Sequence, residues 1–202
     1  MSTVDFEEVY KHRLLRRASY KKFGCDFEGE RWFIIEQALP LEGSILEVGS
    51  GWGFFTTGLV ERGYRVTGVD VSADDIAFAK WNMERLGLMA KVDLHVASGE
   101  KLPFPERSFN AIFSVNVLHH LESPLKVVDE MIRVLAPEGK IIVSDFSDEG
   151  FDVANKVHAI NGEKHLRMGV PFLEVKKYLI DKGLGVQHER TRCQETLIAY
   201  HS

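Results

Sequence analysis

Ile45-Leu46-Glu47-Val48-Gly49-Ser50-Gly51-Trp52-Gly53 is a short apolar run that ends in glycines at alternate positions. Too brief for a helix and closed by a turn signal, it reads as a strand covered on both faces that feeds a glycine turn and then a helix. Glycines in such a turn let the backbone approach a ligand closely, and the helix start offers free N–H groups and the positive end of a dipole. The spacing separates ligand classes. A dinucleotide fingerprint needs G-x-G-x-x-G, whereas Gly49, Gly51 and Gly53 give G-x-G-x-G and Phe54 stands in the place of the third glycine. Pyrophosphate is therefore disfavoured, and no G-K-[ST] follows that would suggest a nucleoside triphosphate.

Working outward, further runs rich in Val, Ile and Leu occur at 64–70, 92–97, 109–115 and 139–146. Helical spacing lies between them. Ser72 and Asp75 make a capping box ahead of Ile76, Ala79, Met83 and Leu86, with Gly87 as the stop. Ser123 and Pro124 open another helix that buries Val127, Met131 and Leu135 before Pro137 and Gly139. Strand, helix and strand in repetition imply a doubly wound α/β sheet with helices on both faces. Pro171 opens a last helix (Phe172, Val175, Leu179), and 185–190 and 194–200 read as an antiparallel pair of strands. Outside this alternation lie an amphipathic helix over 4–20 (Phe6, Tyr10, Leu14, Ala18), a helical stretch around 29–39, and an irregular connection over 147–169. Ligands of open α/β sheets sit beyond the carboxyl ends of the strands, so these pieces are the natural lid and acceptor wall.

The 202 residues suit one domain, divided into a helical lid over 1–40, a core over 43–146, an acceptor-side connection over 147–169 and a C-terminal helix and hairpin over 170–202. With Lys plus Arg at 25 against 30 for Asp plus Glu, the formal charge is −5, which leaves no electrostatic footprint for nucleic acid or an anionic membrane. No apolar stretch approaches the roughly 20 residues of a membrane-spanning helix, and Cys25 and Cys193, far apart in sequence, read as reduced thiols of a soluble cytoplasmic protein.

Asp70 ends the second strand, where one carboxylate can accept both hydroxyls of a ribose. With the glycine turn it predicts an adenosine-type ligand across the first two strands; the alternative, a helix-start acid, is weakened because Ser72 is the better cap. His119 and His120 end the fourth strand. Neighbouring histidines are expected to point apart, so no metal site is read there, but either is placed to act as a base near neutral pH. Asn116 is assigned to the cofactor pocket. Tyr10, Tyr20 and Trp32 are candidates for closing over a sulfonium, with core packing as the alternative, and His158, Asn161 and His165 for meeting the acceptor, the two histidines lacking a nearby acid.

Taken in order, ILEVGSGWG, VTGVDVS, GEKLPFPERSF, NVLHHL and GKIIVSDF resemble the successive motifs of class I, Rossmann-like S-adenosylmethionine-dependent methyltransferases, in the small-molecule branch known as type 11 or the ubiquinone/menaquinone-type group. The resemblance covers about 43–146. It implies a seven-stranded sheet, mostly parallel, with the last strand antiparallel. It also implies that Glu47 and the turn of Gly49, Ser50, Gly51 and Gly53 hold the methionine moiety, Asp70 the ribose, Val71 one adenine face, and Gly99-Glu100 the adenine edge. Ser98 stands where the family commonly has an acid for the adenine amino group, and Asn110 where it usually has Asp. The expected cofactor is S-adenosylmethionine, leaving as S-adenosylhomocysteine, and the expected partner a small-molecule acceptor, since no N-P-P-[YF] sequence points to amide or base nitrogen. A module that binds the cofactor without transfer and a nicotinamide-dependent reductase are the alternatives; the glycine spacing opposes the second.

Overall fold

The computed structural model describes residues 5–160 and 162–201. Val4, expected to begin the first helix, and Asn161, an acceptor candidate, lie outside the described residues. Seven strands, β1 (Ile45–Val48), β2 (Val66–Asp70), β3 (Val92–Val96), β4 (Phe109–Val115), β5 (Leu135–Phe146), β6 (Leu184–Arg190) and β7 (Gln194–His201), form one sheet in the order β3-β2-β1-β4-β5-β7-β6. β1 to β5 run parallel, and β7 is inserted antiparallel between β5 and β6. This is the mostly parallel, doubly wound sheet that the sequence implies.

Successive residues of a strand face opposite sides, and the two cores follow from that. Leu46, Ile112 and Ile141 face a layer formed by α5 (Pro124–Val134) and α7 (Phe172–Asp181). Their neighbours Ile45, Phe113 and Ile142 face α2 (Phe27–Gln37), α3 (Phe54–Glu61) and α4 (Ala73–Arg85). Each such side chain, fully buried, contributes about 1.5–3 kcal/mol. The Ser72 hydroxyl caps α4, accepting the Asp75 N–H at 3.1 Å.

Several local expectations are corrected. Helix α5 stops at Val134 and Leu135 already belongs to β5, because Pro137 disfavours helical geometry at the residue before it. Ser123 precedes α5 without a side-chain cap bond. Much of the segment expected to be irregular is α6 (Asp148–Ile160), which buries Phe151, Val153, Ala154 and Val157. The first helix, α1 (Phe6–Lys22), turns only part of the expected apolar face inward: Phe6 and Tyr10 pack on α4 through Phe78 and Trp81, but Leu14 is 44% exposed and Ala18 is exposed, while Arg13, Arg16 and Arg17 face the cavity.

The cysteines are not free. Cys25, between α1 and α2, and Cys193, in the β6–β7 turn, form a disulfide with Cα atoms 5.8 Å apart, buried among Tyr20, Phe146 and Phe151. Sequence separation hid the pair: the cysteines are 168 positions apart, and only the fold brings them to one edge. Among the described residues no helix is long and apolar enough to cross a membrane. Closing so long a loop is worth roughly 2–5 kcal/mol. Reduction, or paired Cys25→Ser and Cys193→Ser substitution, is therefore expected to lower stability to denaturant by that amount; a peptide map of oxidised protein showing two free thiols would contradict the pairing.

Candidate active site

A cavity of about 590 Å3 opens beyond the carboxyl ends of β1, β2 and β4. Its floor is the glycine turn. Gly49, Gly51 and Gly53 all have positive φ (79°, 47° and 74°), the left-handed region that favours glycine. At Gly49 the constraint is also steric, because a Cβ there would collide with the Val117 side chain.

The turn is held by Asp70. One carboxylate oxygen accepts the Gly51 N–H at 2.8 Å and the other the Ser72 N–H at 2.9 Å. Each oxygen keeps a further lone pair that faces the cavity wall. Beneath the turn Glu47 is buried and accepts a hydrogen bond from Thr56 Oγ1. Burial, followed by repulsion from Asp70, pushes its carboxyl up to about 8. Ser50 Oγ is buried without a protein partner, so the turn presents an unfilled polar position.

Of the residues singled out in the sequence, Glu47, Gly49, Ser50, Gly51, Asp70, Val71, Asn116, His119 and His120 line this one cavity. Gly53, Ser98, Gly99 and Glu100 do not line it. Gly53 lets α3 approach α4, since a Cβ would sit 3.0 Å from Met83 Cε and 3.2 Å from Ala79 Cβ. The Ser98 hydroxyl accepts the Glu100 N–H at 3.2 Å, Gly99 packs between Val48 and Val127, and Glu100 faces Lys126 at 3.7 Å. Asn116 adopts φ 57°, uncommon for a non-glycine residue, with its Oδ1 accepting from Gln194 Nε2 at 2.9 Å. Tyr20 reaches the cavity, but Tyr10 packs on Trp81 and Trp32 lies under Arg31 and Arg62.

The far end of the cavity is a histidine cluster. His119 is 4% exposed; its Nδ1 donates to Asp145 Oδ1, and its backbone N–H reaches Asp145 Oδ2 at 3.2 Å. The other ring nitrogen of His119, Nε2, lies 3.2 Å from Nε2 of His165. The rings of His119 and His120 do not point apart: their centroids are 3.8 Å apart and both line the cavity. His158 stacks on His165 with centroids 4.7 Å apart, and the acid absent from the sequence reading is Glu163, 3.2 Å from His158. Burial, reinforced by the neighbouring histidines, holds His165 down to about 4.

Sequence reasoning passed over Asp145, Gln194, Glu163 and the arginines of α1. Asp145 lies in GKIIVSDF and had a usable signal, a lone acid at the carboxyl end of an apolar strand. Gln194 and Glu163 carry none, because only the fold brings them to the cavity. A raised pKa in the buried Glu47 has a direct consequence. Its protonated form is favoured on folding, so its contribution to stability is complete below about pH 4.5 and is lost as pH rises through about 8. Relative to wild type, Glu47→Gln should gain about 3 kcal/mol between pH 5 and pH 8 in urea unfolding; a pH-independent difference would show that Glu47 ionises normally.

Residues 46–143 match the family described as methyltransferase domain. An uncharacterised methyltransferase of Mycobacterium leprae is 29% identical over 145 residues, covering 71% of this chain and 51% of its own length. The ubiquinone biosynthesis O-methyltransferase of Dechloromonas aromatica is 33% identical over 112 residues, or 54% and 47% of the two chains. The present chain thus spans about half the length of the curated relatives it matches. A crystal structure of an S-adenosylmethionine-dependent methyltransferase from Aquifex aeolicus superposes with a TM-score of 0.68 at 23% identity, covering 91% of this chain and 97% of that one, a likeness that speaks to fold alone. Residues 46–143, just under half of the chain, thus match a methyltransferase domain and are folded around the turn that Asp70 holds.

Proposed function

We propose that the protein transfers a methyl group from S-adenosylmethionine to a small-molecule acceptor by in-line displacement. The observation that carries this reading is one cavity joining the Asp70-clasped glycine turn to the histidine cluster. Its size lies within the range of small-molecule sites. The cofactor fits the residues present: the free lone pairs of Asp70 suit a ribose diol, and the unpartnered Ser50 hydroxyl and buried Glu47 suit the polar methionine end. Nothing in the G-x-G-x-G turn provides the third glycine that a pyrophosphate requires.

When bound, S-adenosylmethionine would supply a methyl carbon open to attack by an acceptor lone pair, the C–S bond breaking to leave S-adenosylhomocysteine. The protein's part is then mainly positioning and exclusion of water. Asp70 and the turn fix one reactant, and Asn116, itself fixed by Gln194, shapes the wall between the two ends. His119, oriented by Asp145, and His120 hold the acceptor's donor atom, where its proton must leave. Gly53, Ser98, Gly99 and Glu100 support the rim through packing and loop hydrogen bonds, and in this reading Ser98 contributes no carboxylate to adenine.

Isothermal titration should give micromolar S-adenosylhomocysteine binding, weakened roughly 150-fold by Asp70→Ala, the equivalent of two charge-assisted hydrogen bonds at the low end of their range. Absence of binding by the wild type removes the proposal. Transfer itself is read by tritium from labelled cofactor entering a metabolite extract. Tight cofactor binding with no labelled product in any extract would favour the non-catalytic binding module instead.

A further inference from the structure

We infer that the histidine cluster at the far end of the cavity is a divalent transition-metal site, in which His119, His120 and His165 bind a zinc-type ion that presents an open position to the acceptor. One ring nitrogen from each residue lies within 4.8 Å of the others. Two imidazole nitrogens on one tetrahedral ion, each 2.0–2.1 Å from it, stand about 3.3–3.4 Å apart. His119 Nε2 and His165 Nε2 are 3.2 Å apart, so this edge of a coordination polyhedron is present without rearrangement.

The surroundings point the same way. A metal-binding histidine characteristically gives its other N–H to a carboxylate, which fixes the tautomer and raises the basicity of the ligating nitrogen. Asp145 does this for His119 from a buried position, at 4% exposure. His165 Nδ1 is buried without a hydrogen-bond partner, so this ring meets the cluster through Nε2, the nitrogen that faces His119. Three neutral imidazoles without a thiolate among them select zinc, cobalt or nickel over magnesium or calcium. The nearest fixed charges outside the cluster, Arg16 and Glu163, pair with each other at 3.2 Å and largely cancel, which leaves the Asp145 carboxylate to balance an ion. His120 lies at the exposed side of the cluster and so gives an ion a path in.

Three protein ligands with a fourth position free is the arrangement of a catalytic rather than a structural ion. At this place the fourth ligand would be the oxygen or nitrogen donor of the acceptor, whose proton an adjacent cation makes easier to lose. The inference rests on the proposed methyl transfer for its purpose, but not for its existence.

The experiment uses tag-free, metal-stripped full-length protein. Zinc titration should show one equivalent per chain with micromolar or tighter affinity, and cobalt should give the intense visible band of a four-coordinate ion. His165→Ala and, separately, His120→Ala should each weaken zinc binding at least tenfold, abolish the cobalt band, and leave S-adenosylhomocysteine binding unchanged, which also certifies that the variants fold. Sub-stoichiometric zinc uptake, or uptake that both variants leave intact, overturns the site. Stoichiometric zinc with no S-adenosylhomocysteine binding by the wild type would instead remove the methyl-transfer reading and keep the metal site.

Discussion

The Asp70 carboxylate stands between the N–H groups of Gly51 and Ser72, at 2.8 and 2.9 Å, and so joins the turn after β1 to the turn after β2. Both N–H groups belong to segments leaving the sheet, where no ladder partner is available, and leaving such groups unsatisfied costs about 1–3 kcal/mol each. The same contact fixes the positive φ of Gly51, because the backbone must turn its N–H toward the acid. A carboxylate so placed also adds to the burial that keeps Glu47, below it, protonated near neutrality. Floor and lip of the cavity thus share one cause.

That clasp has fixed anchors because β1 and β2 are held rigidly from two sides. Ile45 and Leu46 are adjacent in sequence yet belong to different cores, and Ile112 with Phe113 and Ile141 with Ile142 repeat the division on the next two strands. A one-residue slip of any of these strands exchanges its faces, but exchanges two nearly equal apolar sets, so apolarity alone pins the register weakly. Glycine supplies the missing specificity. Gly68 in β2 leaves no room for a Cβ between Leu94 and Ser50, and Gly49 none against Val117, so only one register seats the turn beside Asp70.

The strands and the Gly49–Asp70 half of the cavity were legible because each is written in local signals: continuous apolar runs, a glycine turn, and an acid at a strand end. The histidine half was not, for reasons visible in the residues. α6 contains Gly150, Asn155 and His158 and reads as a loop, yet Gly150 is required because a Cβ there would collide with the Cys193 carbonyl. Its start is tied to the same turn, Ser147 N–H donating to Cys193 O at 3.1 Å. The helix therefore depends on a contact with a segment over forty residues distant, which no periodicity encodes. His165 and Glu163 reach the cavity only after α6 has formed, and the disulfide only after both ends of the chain have docked. Sequence rules about neighbours also mislead at His119 and His120: they lie on one short turn and their rings pack together in the same hollow.

The N-terminal helices cover the cavity by a different physical means from the rest of the fold. α1 buries Tyr20 and packs Phe6 and Tyr10 on α4, but over the cavity it sets Arg13, Arg16 and Arg17, whose guanidinium groups lie over Trp52 and Phe54 or meet His158 and Glu163. Burial lowers Arg13 to about 9 and Arg17 to about 10, so both remain charged at neutral pH while losing part of their hydration. Partly desolvated cations are held only as well as their partners hold them, and the Arg13 Nε and Nη1 atoms have none. An interface of this kind contributes less per buried residue than the apolar layers on the sheet. The Cys25–Cys193 link lies at the carboxyl end of α1, beyond Lys22, and fastens that end to the β6–β7 turn. One end of α1 is thus fastened covalently, its middle meets the cavity wall through arginines, and its start packs on α4 through Phe6 and Tyr10, so that three different kinds of contact hold one helix across the cavity mouth.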